Sequence, residues 1–319
     1  MKLISKLAGA LSLVAMCQAG QAQDVFPASG KVVQLVYPFG AGGTDALLRV
    51  FAQSMSDASD AKFILVNKEG AAGAIGATTV ARARPDGYTL MVGPSIVVTN
   101  LPYTQKDLAY GIDSFEYVCQ LNVNALAVVV KQDSPFKTFK DLTDAMRANP
   151  GKFNYGHSGT YTDFHLNMLL LEQQANLRAQ DIAYRGDAPT LLALLSGELH
   201  FTIHSGVSVA KRTDIRPLAV FWDRRHPALP DVPSVAELGY SAFFTGFQGV
   251  FAPKGTPKPV VQALSSLCAK ASASEAYKAA ASSQGTVVLY MNSEEFEKST
   301  RTSYVEKGKL FRQLGVTPK

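Results

Sequence analysis

Cysteine is scarce in this 319-residue chain, with three in all, and tryptophan scarcer still, with one. So few cysteines exclude a miniature scaffold knit by disulfides, and no Cys-His cluster or His-Glu-x-x-His run offers a zinc site. The formal net charge of +5 comes without a basic run, an aromatic-basic recognition motif or zinc-finger spacing, so nucleic acid is not an expected partner. A mildly basic surface instead favours the approach of acidic solutes. No Gly-Lys-Ser/Thr follows the glycines near the N-terminus, which excludes a P-loop, and the glycines from Gly40 to Gly43 lack dinucleotide spacing. Repeats, disordered tracts and a later apolar run of membrane-spanning length are missing too, while 47% hydrophobic and 18% charged residues suit a globular chain large enough for two domains.

What the chain does have begins with an export signal. Lys2 and Lys6 precede an apolar stretch from Leu7 to Cys17, and Gly20-Gln21-Ala22 supplies small residues for cleavage before Gln23, so residues 1–22 read as a signal peptide and the expected location is the periplasm. Met16 stands before Cys17 where lipidation wants a small side chain. The mature chain then keeps Cys119, in an apparent strand Tyr117–Leu121, and Cys268, in a helix Val260–Ala273. An oxidising compartment favours a disulfide between them over two buried thiols.

Short β-rich runs alternate with amphipathic helices. Val32–Tyr37, Phe63–Val66, Thr89–Val92 and Ala125–Val130 read as strands, and Ala46–Met55, Phe139–Ala148 and Pro189–Leu195 as helices. That alternation implies parallel sheets covered on both faces, whose ligands bind beyond the carboxyl ends of the strands. Four loops lie at such ends: Pro38–Asp45, Gly70–Gly76, Gly93-Pro94-Ser95 and Asn154–Thr162. In the first, a strand opens through glycines into a helix start, presenting unpaired N–H groups to an anion, more suited to a carboxylate than to a nucleotide.

These residues also carry a family pattern. Tyr37–Asp45 with Arg49, Val66–Gly76, Arg84–Leu90, Asn149–Lys152, Tyr155–Gly159, Tyr184–Pro189, Leu229–Gly239 and Phe251–Pro257, in this order, resemble the solute receptors of tripartite tricarboxylate transporters, the Bug or TctC proteins. The resemblance implies a two-lobe periplasmic-binding-protein fold (type II-like) of the α/β class, each lobe a mixed, mostly parallel sheet flanked by helices, with the ligand cleft between. Lobe 1 would comprise residues 23–124 plus 247–319 and lobe 2 residues 125–246. It further implies capture of a small carboxylate by lobe closure, delivery to membrane permease subunits, a monomer, and no cofactor, metal or catalysis.

Carried over by position, the ligand-binding candidates are Phe39, Gly40, Ala41, Gly43, Thr44, Asp45, Ala72 and Ser95 from lobe 1, and His157, Ser158, Thr160, Thr162, Asp187 and His204 from lobe 2. Asp45 has an alternative role as a helix cap. Tyr161 stands where many relatives have glycine, and a ring there would narrow the cleft or stack on a ligand. His200 and His204 replace acidic residues, which favours an organic acid over an amino acid, although Asp187 remains able to receive an amine or a hydroxyl. Phe247 replaces a common Trp, implying a smaller hinge wall, and Trp222 falls in a surface-loop pattern away from the cleft. Two alternatives differ in class. One is a secreted hydrolase using Ser158 with Asp187 and His226, although Thr160 occupies the position where a nucleophile elbow needs glycine. The other is a receptor serving signalling instead of transport.

Overall fold

A computed structural model describes residues 26–318 apart from Lys211 and Ala242; the leader at 1–22, with its Cys17, lies outside the described residues. The strands are β1 (Val32–Tyr37), β2 (Lys62–Asn67), β3 (Thr89–Pro94), β4 (Phe115–Asn124), β5 (Leu126–Lys131), β6 (Asn154–His157), β7 (Gln180–Ala183), β8 (Phe201–Ser205), β9 (Ile215–Phe221), β10 (Gly246–Pro253) and β11 (Val287–Met291). The helices are α1 (Gly43–Asp57), α2 (Ala74–Ala81), α3 (Ser95–Thr99), α4 (Leu101–Thr104), α5 (Phe139–Ala148), α6 (Asp163–Ala175), α7 (Asp187–Ser196), α8 (Gly206–Val209), α9 (Lys258–Ala273), α10 (Glu275–Ser283) and α11 (Ser293–Gln313).

Two mixed sheets result, with strand orders β11-β4-β10-β3-β1-β2 and β7-β6-β8-β5-β9. Parallel pairing is confined to β2-β1-β3 and β7-β6-β8; the other neighbours run antiparallel. The sheets are therefore mixed as expected but not mostly parallel. β10 returns from the second sheet's side and inserts between β3 and β4, opposing both. A doubly buried run such as Leu126–Lys131 looks the same in either direction, so hydrophobicity alone does not give its sense.

Each sheet is covered as its periodicity demands. Leu47, Leu48, Phe51, Ala52 and Met55 make one stripe of α1, which packs with Val261, Leu264 and Cys268 of α9 on a face of the first sheet. The expected bond forms between Cys119 of β4 and Cys268 of α9. In the second sheet, alternate residues serve opposite faces: Leu126, Val128 and Val130 on one, Ala127 and Val129 on the other. Only Ala125 separates β4 from β5, so consecutive strands enter different sheets. A further apolar cluster, Leu166, Phe244, Leu310 and Phe311, joins α6 to α11. Phe247 lies inside the first sheet's packing, edge-on to Phe296 at 5.1 Å. No described helix is long and apolar enough to cross a membrane.

Candidate functional site

Because β1, β2 and β3 are parallel, their carboxyl ends share one edge, and the same holds for β6, β7 and β8. Phe39–Asp45, Ala72 and Ser95 follow the first trio. Ser158, Thr160 and Thr162 follow β6, Asp187 follows β7, and His204 lies near the end of β8. The topology thus gathers each set of candidates at one sheet edge.

On the first edge, α1 starts after Gly42 without a side-chain cap, leaving its first N–H groups unclaimed by side chains. Asp45 is neither a cap nor a free charge. It accepts from Arg49 Nε at 2.9 Å and Asn67 Nδ2 at 2.7 Å, and these bonds hold its pKa below the ordinary carboxylate value against the opposing effect of burial. Asn67 also donates to the Phe39 carbonyl at 2.9 Å, so the β1–α1 turn is braced from β2. Burial raises the pKa of the Tyr37 hydroxyl, against the lowering effect of Thr44. A Cβ on Gly76 would lie 2.8 Å from Pro38 Cα, so glycine lets α2 pack directly beneath this turn. Ala72 takes the left-handed conformation (φ 54°) and is exposed beside it. Ser95 is buried, its hydroxyl donating to Asp163 Oδ2 at 3.3 Å.

On the second edge, α7 also starts without a side-chain cap, after Gly186. Desolvation raises the Asp187 pKa, against opposing effects of His204 and Ser158. His204 is only 2% exposed, and its Nε2 has no partner among the described residues. Thr162 turns back to donate to the Gly159 carbonyl at 2.7 Å, and Thr160 is exposed. Tyr161 takes the left-handed conformation that favours glycine, with φ 62°. Its ring points to His165 and Phe311, at centroid distances of 5.8 Å each, rather than forming a wall for ligand stacking.

His157 faces the rear of this loop. It is fully buried, stacks on His165 at 4.4 Å, and places Nδ1 2.9 Å from the Gly159 carbonyl. With Asp181 the two histidines put potential ligand atoms within 4.8 Å of one another, but this is a brace and not a metal centre. His165 Nδ1 accepts the Tyr161 N–H at 3.1 Å, so in the neutral ring the proton sits on Nε2, the nitrogen that a metal would require. Burial first, then the His157 ring, lowers the His165 pKa from 6.5 to about 4, against a raising effect of Asp181, and burial lowers that of His157. The unfolded chain therefore binds more protons between pH 4 and 6.5. Stability is fully present above pH 6.5 and falls by about 3 kcal/mol as pH drops to 4 through His165 alone. Urea titrations of wild type and His165→Gln should converge over that window; parallel pH profiles would refute the assignment.

The two edges meet at a buried polar node. Lys307 of α11, 0% exposed, donates to Thr99 Oγ1 at 3.0 Å, to Asn100 Oδ1 at 2.9 Å and to Asp163, the first residue of α6. Asn100 also donates to the Tyr161 carbonyl at 2.8 Å. Residues from β3–α4, α6 and α11 thus fix the second edge's loop against the first.

Comparison with known proteins fits this geometry. Residues 47–316 match the model of the TctC family, described as "Tripartite tricarboxylate transporter family receptor". The chain belongs to this family. A UPF0065 protein in the gbd 5′ region of Cupriavidus necator is 31% identical over 98% of this chain and 95% of its own. A TctC solute-binding protein from Polaromonas superposes with TM-score 0.80 at 27% identity, covering 90% of this chain and 99% of its own. R. palustris Rpa4515 with adipate gives 0.75 at 27%, covering 92% and 100%. The TctC fold, two lobes with a sheet in each, is thereby that of this receptor.

Sequence reasoning missed Asn67, Asn100, Asp163, His165 and Lys307, which hold the receptor's loops from behind. Lys307 had a legible signal, since it lies on the stripe of α11 that also buries Phe296, Thr300 and Phe311. His226 packs by Gly206 with its Nδ1 accepting from Ala228 N–H, not from Ser158. A groove of about 1100 Å³, lined by Trp222, Tyr240, Phe243, Tyr290 and Lys298 among others, contains none of the candidate ligand residues.

Proposed function

We propose that this receptor works in the periplasm, captures a small organic-acid carboxylate between lobes 23–124 plus 247–319 and 125–246, and delivers it to a tripartite-type permease without chemistry of its own. The observation that carries the reading is the uncapped N-terminus of α1, beside which Asp45 and Arg49 are paired. Arg49 is engaged by Asp45, so the cradle offers N–H groups and hydroxyls, donors suited to a carboxylate. Gly40, Ala41, Gly43 and Thr44 would hold the anion on one side, with Ser158, Thr160 and Asp187 opposite. The adipate in Rpa4515 supports the same ligand class. Lobe closure follows as selection of the state in which both edges touch the ligand.

The test is a thermal-shift panel on mature protein, unfolded and refolded with its disulfide intact to strip carried-over ligand. Mono-, di- and tricarboxylates, aromatic acids and amino acids are compared. At a hundredfold excess over Kd, a carboxylate stabilises by about 2.7 kcal/mol and raises Tm by several degrees. A correctly refolded protein that responds to no acid would overturn the reading.

A further inference from the structure

The groove of about 1100 Å³ beside Trp222 has walls from two sides of the molecule. Trp222 follows β9, and Tyr240 and Phe243 lie in the return from β9 to β10; Leu289, Tyr290 and Met291 belong to β11. All six are half-buried, so large apolar side chains from both sides keep surface open to one concave space. Apolar surface left in water is unfavourable, and concave sites of roughly 300–1000 Å³ with such walls suit small molecules. Strand order separates this groove from the carboxylate cleft. In the first sheet β11 lies beyond β4, whereas β3, β1 and β2, which carry the candidate loops, lie beyond β10. Phe244 also lines the groove and packs with Leu166, Leu310 and Phe311, so the α11 side is anchored to α6.

The charges on the lining leave one group uncommitted. Asp223 and Arg224 bond each other at 2.8 Å, with the guanidinium 5.5 Å from the Trp222 ring centroid. Glu306 pairs with Lys309 at 2.7 Å, and Glu295 accepts the Asn292 N–H at 3.1 Å in the capping box of α11. The Lys298 side chain is exposed on the α11 wall and bonds no described residue. Its ammonium favours an anionic group on that wall. An exposed charge adds little affinity, so the walls supply most of the binding and Lys298 sets orientation. Rings gain from edge-to-face and offset packing on Trp222, Tyr240 and Phe243 beyond the area they bury, a gain that a saturated body lacks.

We propose that this groove is a second binding site, separate from the carboxylate cleft, for a small aromatic acid whose ring system lies against Trp222, Tyr240 and Phe243 and whose single anionic group is directed to Lys298. The site does not depend on what the cleft binds.

Fluorescence titration of the mature protein with anilinonaphthalene sulfonate, a fused-ring anion, tests it. Trp222 is the only tryptophan, so its emission reports on this groove directly. Saturable one-to-one binding should quench Trp222 as probe emission rises, and excess succinate, malate or adipate should leave the probe in place. Naphthoate should displace it, and the saturated decahydro counterpart should do so about fivefold less well. Lys298→Glu should weaken the probe about fivefold, and Tyr240→Ala about tenfold. The Tyr240 ring also packs edge-on to Phe139 at 6.0 Å, so the exposed Lys298 supplies the variant that leaves the fold alone. Binding without quenching of Trp222, displacement by the cleft acids, equal affinity in Lys298→Glu, or equal competition by the saturated acid overturns the proposal. No saturable binding by folded protein overturns it too, and leaves the carboxylate reading of the cleft standing.

Discussion

Replacing Lys307 with methionine should destabilise this receptor by about 3–5 kcal/mol, measured as a lower urea midpoint at unchanged slope. The loss is large because of what remains, not because the ion pair is strong. Burial pulls the Lys307 pKa down, and the Asp163 carboxylate opposes that shift, so each charge is tolerated because of the other. Methionine fills much of the volume and keeps contact with Phe244, whose ring centroid lies 5.0 Å from the ammonium. It leaves Asp163 buried with only Ser95 and Asn100 as donors. Asp163→Asn added to Lys307→Met should therefore recover much of the loss, since an amide is far cheaper to bury than a carboxylate. A single variant within about 1 kcal/mol of wild type would refute this account of the node.

The same node shows how much of the molecule was readable. Val32–Tyr37 and Phe139–Ala148 appear at the predicted bounds because local pattern decides them, with Thr138 and Asp141 closing a capping box at the start of the second. Helix α1 runs past Ala46–Met55 at both ends, its start being set by backbone and not by a capping side chain. The loops after parallel strands were legible because topology places them at one edge. Which side chains face the cleft was not. His157 and Tyr161 belong to the right loop, yet the first turns to His165 and Asp181 and the second to Phe311. Their direction follows from partners many residues away, and one chain's local pattern carries no record of those. Strand sense was hidden for a similar reason: β10 is placed by where the chain returns, a property of connectivity instead of composition.

Removing the cross-link by Cys119→Ala with Cys268→Ala should cost about 2–5 kcal/mol, comparable to the loss of Lys307. The bonded cysteines are 149 residues apart in sequence, and the enclosed chain includes the whole second sheet. Chain-entropy reasoning assigns about 5 kcal/mol to so long a loop, acting by restricting the unfolded ensemble. Both residues are fully buried in the core shared by α1, α9 and the first sheet, so the native contacts around two alanines change little beyond the lost sulfur volume. That separates two contributions. If constraint of the unfolded chain dominates, wild type unfolded in urea with reductant should match the alanine variant to within about 1 kcal/mol. A variant much weaker than reduced wild type would place the loss in the cavity left by sulfur instead. With reductant but no urea, the sealed disulfide should resist thiol attack until the core opens, so its reduction rate should follow unfolding and rise steeply as urea is added. Rapid reduction of the native receptor in dilute buffer would contradict the burial on which this expectation stands.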